Sequence, residues 1–230
     1  MTVQPLTSAT ESRYLKAHLR PQRENAMASA NFEASLPFVL RWEGGFVDHP
    51  ADPGGRTNKG ITQRVYDTRR ARQGLLPQDV KLIEDSEVEA IYESGYWLPP
   101  RCDILRRRLD LVQFDTAVNM GAGRAVRFLQ EAAGCCVDGD FGPRTEEAAA
   151  ACDLAATIEA YCDARLAYYR RLVEKRPGLG IFLRGWANRV NALRAEVGLS
   201  GFEAAVATDF GDAGYIAKVP DFGVDPNYDV

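Results

Sequence analysis

An apolar-periodic segment ends at Glu43 and runs straight into Gly44, Gly45, Pro50, Pro53, Gly54 and Gly55, a density of breakers that no regular helix or strand tolerates. The chain must therefore stop a helix at Glu43, turn, and fold back toward the helix end. Upstream, Phe32, Leu36, Val39, Leu40 and Glu43 form an i, i+4, i+7, i+8, i+11 series, which places the carboxyl on the buried face. Pro37 is best accommodated if Ser35 caps and Leu36 to Glu43 make a two-turn element. Poor solvation favours the neutral form of a carboxyl, and an acid that keeps its proton near neutral pH can protonate a leaving oxygen. Standing alone, Glu43 reads first as a half-exposed helix-end glutamate, and it is the loop behind it that shifts the reading.

That loop carries Asp48, Asp52, Thr57 and Asn58. Glycoside hydrolysis commonly needs two carboxyl groups flanking the scissile bond, one as acid and the other as base, nucleophile or charge stabiliser, and Glu43 with Asp52 can supply both. A metal reading of the same oxygen ligands fails on spacing. A calcium loop of the EF-hand kind wants ligands at alternate positions and a closing glutamate. His49 beside Pro50 reads as a surface residue, so neither a metal nor another cofactor is expected.

The ordered series Glu43-Gly44-Gly45-Phe46, Asp48, Pro50, Asp52-Pro53-Gly54-Gly55, Thr57 and Gly60-Ile61-Thr62 resembles the glycoside hydrolase family 108 muramidases. More distantly it is similar to phage-type lysozymes. The resemblance implies a mainly α, lysozyme-like helical fold with a short loop or β-hairpin after the first catalytic helix. It makes Glu43 the catalytic acid and Asp52 the second carboxylate, with Asp48 in reserve. Thr57 would position water or Asp52, or simply bond its own loop backbone. Asp48 and Asn58 are expected on the substrate side. Asn119-Met120-Gly121 resembles the Asn-x-Gly element of lysozyme relatives, whose amide faces the sugar cleft, with Asp115 one turn earlier. The alternative is that Asn119 only caps its helix before Gly121.

Val126, Leu129-Gln130, Val137-Asp138-Gly139, Phe141-Gly142 and Thr145 look like a small helical peptidoglycan-binding module, although Asp138 and its glycines would also make a tight turn without binding anything. Gly185-Trp186-Ala187-Asn188-Arg189 resembles the family's closing Gly-Trp-x-x-Arg segment. The expected organisation is a polar arm over 1–29, a catalytic domain over 30–120, the module over 121–200 packed on it, and a loosely ordered tail over 201–230. Between these markers, helices are expected from Thr62 to Gln73, from Asp85 or Ser86 to Trp97, from Arg106 to Met120, from Asp153 to Lys175 and from Phe182 to Val197.

The 230 residues, 46% hydrophobic and 26% charged, suffice for one large or two small cores. A net charge of −4 argues against a nucleic-acid partner, and the clusters Arg69, Arg70, Arg72 and Arg106 to Arg108 read as solvated helix faces. Five cysteines without a C-x-x-C pair imply no disulfide framework. No integral membrane span and no secretory signal are read. The expectation is a monomer made in the cytoplasm that acts on the periplasmic or extracellular wall, with peptidoglycan as its partner and a holin or secretion machinery releasing it. The resemblance implies cleavage of the β-1,4 bond between N-acetylmuramic acid and N-acetylglucosamine. Its rivals are a lytic transglycosylase, a chitinase-like glycosidase, and a noncatalytic wall-binding or secretion-assisting protein.

Overall fold

The computed structural model describes residues 28–48 and 55–199. Most of the expected arm, the loop residues His49 and Asp52, and the tail beyond Leu199 lie outside the described residues. What is described is mainly helical, as expected.

The first helix, α1, occupies residues 28–43. It is twice the length expected, because Pro37 does not end it. Pro37 sits on the exposed side, where the missing N–H and the ring face solvent, while Phe32, Ser35, Leu36, Val39, Trp42 and Glu43 form the buried stripe. Gly44 stops the helix at φ +72°.

The chain returns as a minimal hairpin, β1 (Thr57–Asn58) against β2 (Ile61–Thr62), with Thr57 also bridged to Val47. Its two turn residues, Lys59 and Gly60, both have positive φ, 49° and 74°, the signature of a tight hairpin turn that matches strand twist. Thr62 caps α2 (Gln63–Arg72) by accepting from the Val65 N–H, as the sequence suggests. The next helix, α3 (Asp85–Tyr92), is capped by Glu84 in a reciprocal box with Glu87 rather than by Asp85 or Ser86. It continues as a π-helical turn over Glu93–Trp97, which offsets Tyr96 and leaves Gly95 outside the buried stripe.

The central helix α4 (Leu109–Met120) is buried along its whole length. Around it lie α5 (Ala122–Ala133), α6 (Pro143–Ala151), α7 (Leu154–Lys175) and α8 (Gly180–Glu196). Because α4 has no solvent face, each polar side chain on it needs a protein partner. The α7 helix supplies them from one stripe at four-residue spacing. Tyr161 donates to Gln113 at 2.8 Å, Arg165 to Asp115 and Thr116 at 2.6 and 3.1 Å, and Tyr169 to Asn119 at 2.7 Å. One continuous apolar core runs from Phe32 in α1 to Val197 just after α8, so the catalytic and module segments share their interior.

Candidate active site

Glu43 ends α1 with only 4% of its surface exposed. Arg189 of α8 reaches it, donating from Nη1 to Oε1 at 2.8 Å. The same guanidinium donates from Nε to Asp115 Oδ1 at 2.8 Å, and Arg165 holds Asp115 Oδ2 at 2.6 Å. Arg165 Nε in turn donates to the Tyr169 hydroxyl at 2.9 Å, and that hydroxyl donates to Asn119. A buried relay therefore runs Glu43, Arg189, Asp115, Arg165, Tyr169, Asn119 across four helices, acidic and basic groups alternating as far as Arg165 and a neutral hydroxyl and amide ending it. Trp186, one turn before Arg189, stacks on Tyr169 at 4.9 Å between centroids and fixes α8 against α7.

The relay's electrostatics are set by opposing effects. Burial alone would push the Asp115 carboxyl up, but the charges of Arg189 and Arg165 and their hydrogen bonds outweigh it and hold the group below the usual carboxylate range. Burial works against the charge on Arg165 and Arg189, but Tyr169 and Asp115 beside Arg165, and Asp115 and Glu43 beside Arg189, overcome it, so both are raised. Asp115 is thus a fixed anion that orients Arg189, and Arg189 presents a fixed cation to Glu43.

The hairpin closes the other side of the acid. A Cβ on Gly60 would lie 2.6 Å from Glu43 Oε2 and 2.7 Å from the Tyr92 hydroxyl, which donates to Lys59 O at 2.8 Å. Only glycine satisfies both that approach and the positive φ.

Of the residues singled out from sequence, Glu43, Asp115 and Asn119 meet in the relay. Asp115 and Asn119 are buried, at 0% and 2% exposed, so they stand behind Glu43 rather than on a cleft surface as expected. Asn119 accepts from Tyr169 and does not cap α4, whose C-terminus is finished by Gly121 at φ +89°. Thr57 is buried and donates to Gly55 O at 3.1 Å, the own-loop bond that was its alternative. Asn58 donates to Val80 O and Lys81 O at 3.2 and 3.3 Å, pinning the hairpin to the following loop. Asp48 is exposed and pairs with Arg56 at 3.2 Å. Asp52 lies outside the described residues. Among the described residues no group of three His, Cys, Asp or Glu is arranged to hold a metal, and no helix is long and apolar enough to cross a membrane.

Sequence reasoning missed Arg189, Arg165, Tyr92 and the reason for Gly60. Arg189 closes the Gly-Trp-x-x-Arg segment, but a buried partner 146 positions away leaves no local trace. In the module segment, Gln130 of α5 is the organiser. Its amide donates to Asp138 Oδ1, Asp140 O and Thr145 Oγ1, and its oxygen accepts from the Asp138 and Gly139 N–H groups. The Asp138-Gly139 turn is thereby fixed by the fold itself.

The helical body, with a first helix that ends on a buried carboxyl beneath a small hairpin, has a mainly α, lysozyme-like fold. The chain belongs to the glycosyl hydrolase 108 family. That family's profile matches residues 36–121, and a second family, described as a predicted peptidoglycan domain, matches residues 124–191. Among solved structures the chain is similar to SagA of Brucella abortus, with 34% sequence identity, a TM-score of 0.61, and coverage of 74% of this chain and 94% of that one. No curated protein matches it. The protein is a peptidoglycan hydrolase of the glycoside hydrolase class.

Proposed function

We propose that the chain is an N-acetylmuramidase that cuts the β-1,4 bond between N-acetylmuramic acid and N-acetylglucosamine, with Glu43 as general acid. The observation that carries the reading is the Glu43 carboxyl itself, buried at a helix end, gripped at Oε1 by Arg189 and facing Gly60 through Oε2. A carboxyl held this rigidly can deliver a proton along one direction, and positioned acid catalysis contributes on the order of a hundred- to ten-thousand-fold. Asp52, nine residues on in the sequence, is the second carboxylate, stabilising the oxocarbenium-like state or activating water, with Asp48 in reserve. Thr57 and Asn58 shape the hairpin beside the acid, and Asp115 and Asn119 support it through Arg189 and Tyr169. The α5 to α8 segment contributes wall binding and packs with the catalytic segment as one body. The enzyme acts as a monomer on the wall, after release by a holin or secretion machinery.

Glu43→Gln is expected to abolish release of new sugar ends from sacculi while circular dichroism stays native. Product masses from the wild-type protein should show hydrolysed, reducible ends. Anhydro ends would make the enzyme a lytic transglycosylase instead, and comparable turnover of chitin oligomers would point to a chitinase-like specificity. Undiminished lysis by the Gln variant would remove Glu43 from the mechanism.

A further inference from the structure

A groove of about 600 Å³ lies between α2 and the π-helical turn, lined by Arg64, Arg69 and Arg72 on one side and Ile91, Ser94 and Tyr96 on the other. Several cations near the groove are paired with carboxylates. Arg56 pairs with Asp48 and Asp79, Lys59 with Asp85, and Arg70 with Glu87. The groove arginines are not. Arg64 and Arg72 have no carboxylate at ion-pair distance among the described residues, and Arg69 donates only to the neutral Ser94 hydroxyl, at 3.1 Å. Helix stability accounts for part of this, since a helix C-terminus favours cations and Arg69 and Arg72 lie in the last turn of α2. It does not account for Arg64, which stands in the first turn, the end where a cation is disfavoured. In a chain of net charge −4, three arginines around a concavity with no carboxylate partner among the described residues make that concavity locally cationic.

The groove is connected to the acid through packed side chains and the hairpin. The Tyr96 ring packs 5.6 Å from that of Tyr92, whose hydroxyl bonds the hairpin beside Gly60 and Glu43, and β2 runs directly into the helix that carries Arg64. Peptidoglycan hangs a carboxylate-bearing stem peptide from each muramic residue, so a strand presented to Glu43 carries acidic groups next to the sugar bond.

We propose that the groove binds the carboxylates of the stem peptide, with Arg64 and Arg72 as the charge contacts and Tyr96 and Ile91 as the apolar floor. This assignment rests on the muramidase reading for its ligand, so its test separates binding from turnover. Soluble stem peptide, released from sacculi by an amidase, is titrated into Glu43→Gln protein by calorimetry. Binding that weakens with salt and falls about tenfold in the R64Q/R72Q background supports the site. The charge-matched R41Q/R107Q background, altered at exposed positions on α1 and just before α4, should bind as the parent does. In the active protein, R64Q/R72Q should raise KM on sacculi about tenfold with kcat unchanged, and leave cleavage of peptide-free glycan strands as it was. Both arginines are exposed, so the fold is not at risk. Parental peptide affinity in R64Q/R72Q, or equal losses on peptide-bearing and peptide-free strands, would overturn the proposal. A wild-type protein that released no sugar ends would defeat the muramidase reading, while the titration would still decide the groove.

Discussion

Removing Arg189 is the most telling perturbation, because one guanidinium reaches two buried carboxyl groups, those of Glu43 and Asp115. The three side chains are 1%, 2% and 0% exposed for Arg189, Glu43 and Asp115, and both ion-pair distances are 2.8 Å. Arg189→Met keeps the apolar stem and deletes the charge. Breaking a buried pair from one side costs ~3–5 kcal/mol, since the partner is left uncompensated. For a protein of this size that is a fall in Tm of roughly 6–20 °C. The cost should depend on pH in a defined direction. Asp115 is held below its usual range in the folded protein, burial opposing and Arg189 and Arg165 prevailing. A carboxylate of that kind contributes stability that is present above its unfolded value, ~3.9, and is lost as pH falls through the lower folded one. Arg189→Met removes part of that contribution, so the gap between variant and wild type should be widest above pH ~5 and narrow toward pH ~3. Urea denaturation followed by far-ultraviolet circular dichroism at several pH values reads this directly, with m unchanged. A loss under ~1 kcal/mol at pH 7, or a gap of the same size at pH 3 and 7, would refute the relay as an electrostatic device and leave Arg189 a packing residue. Arg189→Lys should rescue only in part, because an ammonium lacks the planar fork that reaches both carboxylates.

Gly60→Ala forces a side chain into positive φ and onto Glu43 Oε2, and should cost ~1–3 kcal/mol in thermal melts while lowering kcat disproportionately. A variant with wild-type kcat would mean that the hairpin does not set the acid's position. Gln130→Ala leaves the Asp138 and Gly139 N–H groups and Thr145 without their shared partner, and should cost ~2–4 kcal/mol by urea denaturation, detectable as early hydrogen exchange over the Asp138 turn. Asp110 is buried at the start of α4, and burial pushes its carboxyl up to about 6 against the Leu111 N–H bond that lowers it. A raised acid of this kind lowers stability as pH climbs from its unfolded value through about 6. Asp110→Asn should therefore stabilise the protein by ~1–3 kcal/mol at pH 7.5 and by nothing measurable below pH ~4, and the same gain at both pH values would contradict the cause.

The helices were legible where their ends carry local chemistry. Thr62 before α2 and Asp153 before α7 each cap through the side-chain oxygen that the residue type promises, and Gly198 stops the last helix. The sequence misled where tertiary packing overrides a local rule. Pro37 reads as a boundary because it removes a helix hydrogen bond, yet α1 continues through it, since the buried stripe from Phe32 to Glu43 holds both halves. Among site residues, Glu43 was visible as the terminus of a periodic stripe. Its partners were not, because Arg189, Arg165 and Tyr169 obey helical spacing as well as any packing residue would, and only the topology reveals that their stripe faces the polar residues of α4.

The relay changes what the module segment is for. A peptidoglycan-binding module appended to a catalytic domain could be removed with loss of affinity alone. Here the cation facing the acid comes from α8 and is oriented by Asp115 of α4, which α7 holds in place through Arg165. The segment matched as a peptidoglycan domain therefore supplies the counter-charge of the segment matched as the hydrolase. Folding couples the two in the same way. The charges of α4 cannot be buried before α7 and α8 arrive, since a buried unpaired carboxylate costs several kcal/mol. Truncation after Met120 should accordingly yield no folded N-terminal half, because Glu43 and Asp115 would lose the arginines of α7 and α8 that face them.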